Sequence, residues 1–233
     1  MKSYVQPEDV MRRQPGEAVQ VLHGVVGLLK NLAIPGANKQ TLCDAGVINP
    51  CLSLLISSYD IVVPLQNAAI GVLKHLCAGN ISSSLKVILP PTAPGASAIV
   101  SLQPSGTSQN GDSLSSPLST ILSLISRTND VRLQCEATRL LVNIVRSLYS
   151  SRSVTSPVTP AALGGLEMGI AKTKARNVIE NSEGVVDAIS EIVRTGEKYP
   201  MLVNEAIVAL TLLSTTESGG KTLILFSPVP QLG

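Results

Sequence analysis

Few residues in this sequence are of a type and spacing suited to chemistry. The two histidines, His23 and His75, both fall inside apolar helical patterns, with no nucleophile and acid spaced to complete a triad. The four cysteines, Cys43, Cys51, Cys77 and Cys135, show no paired metal-ligand spacing. Each lies in an apolar helical stretch where a thiol packs as a small hydrophobe, so all four are expected to be buried. The segment "GGKT" at 219–222 imitates the end of a phosphate-binding loop. The first glycine of such a loop would fall at Thr215, however, and the segment follows a helical pattern rather than a strand. Glu180, Glu183 and Asp187 read as solvated helix ends, and the sequon at Asn80 has meaning only in a secreted chain. No catalytic residue, metal ligand or cofactor site is expected, and the chain is read as a binding protein rather than an enzyme.

The polar residues that do recur point to recognition. "GLLKNLA" (27–33), "GVLKHLC" (71–77) and "RLLVNIV" (139–145) share one register, with Asn31, His75 and Asn143 at the same position. "VALTLLS" (208–214) fits the frame but carries Leu212 there. An Asn amide offers both a donor and an acceptor, so a row of them along aligned helices could hold the backbone of an extended partner. The simpler alternative is that each satisfies local backbone groups; for three in register the groove is favoured. Helical periodicity adds Arg139, four residues before Asn143, and Asn67 and Asn204 near the starts of their helices. Gly27 and Gly71 also lie on this face, at a cost of ~1 kcal/mol each relative to Ala, either for close helix packing or for backbone access. Glu136 and Arg139, three apart, read as an ordinary surface pair.

These positions must be held by helices. Long helical patterns lead into three of the segments, as "LQNAAIGVL" (65–73), "LQCEATRLL" (133–141) and "LVNEAIVAL" (202–210). Between the first two ladder positions lie a short helix over 38–46, closed by Gly46, and a second helix over 47–58 with Pro50 in its first turn. The unit is therefore short helix, medium helix, long helix. Asn31 to His75 spans 44 residues, His75 to Asn143 68, and Asn143 to Leu212 69; the first matches the ~40–47-residue period of armadillo and HEAT units. The surpluses fall in two stretches rich in Ser, Pro, Thr and Gly, about 89–117 and 149–171, expected to be mobile inserts. Residues 1–18 are expected to be flexible and 219–233 to form an irregular tail of a single domain spanning the chain.

Composition agrees with an all-α core. Hydrophobic residues make up 44% of the chain but aromatic ones only 2%, so the interior must be Leu, Val, Ile and Ala. A formal charge of +2 with no dense Lys/Arg block argues against nucleic acid. No apolar run approaches the ~18 residues of a spanning helix, and the N-terminus lacks a signal-peptide core. A cytoplasmic monomer is the expectation.

The junction "LLKNLAIPGANKQTLCDAGVINPCLSLL" (28–55) resembles an armadillo repeat boundary, with Asn31, the "NK" opening of the next unit and the "AG" before its second helix. "EATRLL" (136–141) and the segment 178–214 resemble the C-terminal armadillo repeats of the small-GTPase GDP-dissociation stimulator (SmgGDS) family. The resemblance implies a right-handed superhelical solenoid of three to four repeats, forming a C-terminal portion of a longer protein. It further implies binding of Rho, Rap or Ras-type GTPases and stimulation of GDP release, with Asn31, Asn67, His75, Arg139, Asn143 and Asn204 as groove candidates. The other reading is a scaffold that grips extended peptides; the missing Trp argues against nuclear import. Ser116 and Ser156, each before Pro, are candidate phosphorylation sites beside the alternative of plain solvated linker.

Overall fold

The computed structural model describes residues 15–89, 116–150, 162–196, 199–216 and 220. All regular structure among them is helical. In chain order the α-helices are α1 (Pro15–Leu32), α2 (Gly36–Asp44), α3 (Ile48–Ser53), α4 (Val63–Cys77), α5 (Ile81–Ile88), α6 (Pro117–Arg127), α7 (Val131–Tyr149), α8 (Ala162–Glu180), α9 (Glu183–Thr195) and α10 (Pro200–Ser214), with one 3-10 turn at Ser57–Tyr59.

Local signals set the helix ends. The Asn80, Ser116 and Asp130 side chains accept from the backbone N–H three residues on, at 3.0, 3.1 and 2.7 Å, and so start α5, α6 and α7. Proline opens α4, α6 and α10 within the first two positions, where no intrahelical N–H is lost. Gly46 and Gly79 follow α2 and α4 with φ of 76° and 71°, the left-handed geometry that ends a helix without a Cβ penalty. Gly46 was legible in the sequence as a terminator.

Two segments differ from the sequence reading. The medium helix expected over 47–58 is only Ile48–Ser53 followed by tight turns. The carbonyls of Leu55 and Ile56 are taken by the side chains of Arg127 and Gln66, and Asp60 accepts from both of those side chains. Distant partners therefore close the helix early. The second insert is also shorter than 149–171: α7 runs to Tyr149, which is buried, and α8 begins at Ala162. A glycine-rich start hid α8, whose polar and apolar residues scarcely segregate to separate faces. Most of the first insert, the rest of the second, residues 1–14 and 221–233, and Ser156 lie outside the described residues.

The long helices lie side by side: α4 packs against α1 and α7, and α7 packs against α10. The remaining helices pack behind them, α2, α3 and α5 on α4, and α5, α6, α8 and α9 on α7. One seam recurs at one register. In α4 it is Leu65, Ala69, Val72 and Leu76; in α7 Leu133, Ala137, Leu140 and Ile144; in α10 Leu202, Ala206, Ala209 and Leu213, all buried. The spacing of four, three and four keeps these side chains on one face.

The two ladder-face glycines prove different. A Cβ on Gly71 would lie 2.8 Å from the Lys30 Cδ, whereas a Cβ on Gly27 would meet nothing within 4 Å. Close packing accounts for Gly71 alone. Gly27→Ala is expected to raise unfolding free energy by about 0.5–1 kcal/mol. Gly71→Ala is expected to gain less or lose stability, because the Lys30 methylenes must move; urea unfolding of both variants at low protein concentration checks the contrast.

Candidate partner-binding face

The polar side chains of α4, α7 and α10 meet along one face. Lys74 of α4 forms an ion pair with Glu136 of α7. Arg139 of α7 reaches Glu136 on its own helix at 3.2 Å and Glu205 of α10 at 3.3 Å. Four charges thus alternate in sign across three helices. Lys74 keeps only 11% of its side-chain surface exposed and Glu136 23%, so the pair at the centre is largely desolvated. Burial by itself would raise the Glu136 pKa, but the hydrogen bonds and charges of Lys74 and Arg139 outweigh it and hold the carboxyl below its usual value of 4.5.

The ladder residues divide. Asn143 donates through Nδ2 to the Lys74 carbonyl at 3.1 Å. One turn on, Ser147 donates to the Cys77 carbonyl at 2.6 Å and accepts from the Gly79 N–H at 3.1 Å. Lys39 donates to the Ala78 carbonyl at 2.6 Å. These side chains satisfy the carbonyls that the last turn of α4 cannot pair internally. The donor half of Asn143 therefore does structural work, as the local alternative holds, while its Oδ1 has no hydrogen bond with another described residue. His75 is half-buried; burial, followed by the charges of Lys74 and Lys30, lowers its pKa against the opposing pull of Glu136, and Lys39 lowers it slightly further.

Asn31 and Asn204 are exposed and Asn67 is half-buried, and the side chain of none makes a hydrogen bond with another described residue. The structure thus gathers His75, Arg139 and Asn143 around Lys74 and Glu136. Asn31 stands beside them next to Lys30, and Asn204 next to Glu205; Asn67 remains apart, toward the start of α4. Lys74 and Glu205 were missed by the sequence reading, which took Glu136 and Arg139 for a surface pair. The available signal was the lysine that precedes the ladder position in two units, Lys30 and Lys74.

Beside the network a groove of about 710 Å³ opens between the N-terminal halves of α7 and α10, with Arg132, Cys135, Glu136 and Arg139 on one wall and Tyr199 and Met201 on the other. A cavity of about 620 Å³ between α6, α7, α9 and α10 adjoins it and shares Cys135 and Tyr199. Cys43, Cys51 and Cys77 are buried as expected, with burial pushing Cys51 up to about 11 and Cys77 up to about 12. Cys135 is not: it is half-buried and lines both spaces. Its pKa is raised, first by burial and then by the Glu136 charge, which disfavours the nucleophilic thiolate.

Among the described residues no three His, Cys, Asp or Glu side chains gather as a metal site, and no helix is long and apolar enough to cross a membrane. What the face offers a ligand is guanidinium donors at Arg132 and Arg139, apolar surface at Tyr199 and Met201, and exposed amides. No family model, curated protein or solved structure matches this chain.

Two stability measurements test the network. Glu136→Gln leaves the Lys74 ammonium largely buried without its counter-charge and is expected to cost about 2–4 kcal/mol. Lys74→Met leaves Glu136 paired with Arg139 and is expected to cost less than half as much in the same denaturant titration. For His75, a pKa below 6.5 in the folded state means that the unfolded chain binds more protons as pH falls through 6.5. Stability contributed by this residue is therefore complete above that value and declines below it. His75→Asn, the residue of the neighbouring units, is expected to flatten the fall in melting temperature between about pH 7 and 5.5.

Proposed function

We propose that this chain is a non-enzymatic binding protein of armadillo type, which receives its partner on the face formed by α4, α7 and α10. The observation that carries this reading is the alternating Lys74–Glu136–Arg139–Glu205 network beside an open groove. The three-helix order of the units, the side-by-side long helices and the recurring buried seam support a solenoid built from repeats. A largely satisfied polar floor holds its side chains in place, so a partner pays little ordering entropy to meet them.

The partner class rests on the resemblance of 136–141 and 178–214 to the GDP-dissociation stimulators: small GTPases of the Rho, Rap or Ras type, with GDP release stimulated. Exchange of this kind needs no covalent step. It requires that the binding face hold the nucleotide-free GTPase more tightly than the GDP-bound form. A second reading, capture of an extended peptide, is favoured by one observation, the Asn143 Oδ1 left without a hydrogen bond to another described residue.

Release of fluorescent GDP from a panel of Rho, Rap and Ras GTPases tests the first reading. Acceleration by the wild-type chain is expected to drop at least ~10-fold for Arg132→Glu with Met201→Glu, changes at exposed positions that leave the melting temperature in place. No acceleration of any GTPase by a folded chain overturns the exchange reading. Loss of a captured peptide's binding in the same variant would then support the second.

A further inference from the structure

Lys30, Lys39, Lys74 and His75, from three helices, gather beside one stripe of α4. The stripe runs from Gly71 through His75 to Ala78, at the spacing of four and three that keeps positions on one side of a helix. Lys30 of α1 lies across its first position: a Cβ on Gly71 would stand 2.8 Å from the Lys30 Cδ and 2.9 Å from its Cε. Lys39 of α2 closes the far end, donating to the Ala78 carbonyl at 2.6 Å. Half-buried His75 lies between them, and the charges acting on its ring are those of Lys74, Lys30 and Lys39 against Glu136 alone.

Counter-charge is missing here. Glu136 is already shared by Lys74 and Arg139. Within residues 15–89 the described carboxylates are Glu17, Asp44 and Asp60. Asp44 pairs with Lys86 and Asp60 with Arg127, while Glu17 lies in the first turn of α1, about 20 Å of helix from Lys30. Neither Lys30 nor Lys39 therefore has an ion-pair partner among the described residues, yet the contact with Gly71 and the bond to Ala78 hold both against α4. Burial also lowers the Lys39 pKa. Two lysines fixed beside a half-buried imidazole without an anion favour a ligand that brings one.

We propose that this stripe binds an acidic, extended segment of another protein, with one carboxylate at the Lys30 end, a second at the Lys39 end and His75 donating between them. Gly71 and Ala78 lie roughly 10 Å apart along α4. A chain in the polyproline II form brings every third side chain to one side, roughly 9 Å apart, a span that a single phosphate does not bridge. The exposed amide of Asn31, next to Lys30, offers a donor and an acceptor to the segment's backbone. Bound carboxylates favour the protonated ring, so binding raises the His75 pKa and tightens as pH falls below about 6.5. The stripe shares no residue with the groove between α7 and α10 and does not depend on the partner proposed there.

NMR titration of the His75 ring at low salt is the test, with a twelve-residue peptide carrying glutamate at every third position and the same peptide carrying glutamine. The chain has two histidines, and the spectrum of His75→Asn identifies the resonance. The acidic peptide at about 5 mM is expected to raise the His75 pKa by about 0.5–1. Lys30→Met keeps the methylenes against Gly71 and is expected to lose at least half of that peptide-induced rise; Lys39→Gln is expected to do the same from the other end. No rise in the wild type overturns the proposal, as does an equal rise with the glutamine peptide or an undiminished rise in Lys30→Met. A larger rise with a single-stranded oligonucleotide of equal charge overturns the assignment to a carboxylate segment. No GTPase takes part, so the result is independent of the exchange measurement.

Discussion

Burial of α4 between α1 and α7 governs the rest of the structure. Leu65, Ala69, Ile70, Val72, Leu73, Leu76 and Cys77 have no exposed surface at all, so α4 is wrapped on most of its circumference. A helix in that position sends few polar groups to water, and those it buries must find partners inside the protein. Gln66 reaches Asp60, Lys74 reaches Glu136, and the terminal carbonyls receive Asn143, Ser147 and Lys39. The connections that join one unit to the next are consequences of this requirement.

The same requirement shapes the face proposed to receive a partner. A ladder asparagine on a free surface would be a docking group with both ends open. Here the neighbouring helix ends beside it, and half of the Asn143 amide closes that end. The Arg139 guanidinium is likewise held between two carboxylates. Such a face is rigid, and its electrostatic pattern is fixed before any ligand arrives, which favours specificity over adaptability. The side chains still open to solvent, Arg132, Tyr199, Met201 and Asn204, flank this floor, and under the proposed binding role discrimination between partners would fall to them.

The long helices are not equivalent, although their sequences follow one design. Position in the row decides each one's environment: α4 has a neighbour on both sides, whereas among the described residues the seam of α1 stays exposed. The apolar residues at matched positions are buried in one case and half exposed in the other without any change of residue class.

The sequence by itself determined the helical class, the role of Gly46 as a helix terminator and the burial of three of the four cysteines. These follow from periodicity of apolar residues and from turn and cap chemistry, which act within a few residues of one another. Tertiary structure alone decided that Lys74 and Glu205 join Glu136 and Arg139, that Asn143 caps α4, that α3 stops early under Arg127 and Gln66, and that Cys135 lines a groove. Each depends on groups about ten to seventy residues apart in sequence and on which helices have neighbours. An ion pair or a cap across helices leaves no periodic trace along the chain: a lysine reads alike on an exposed turn and beside a buried carboxylate, and only packing fixes the difference.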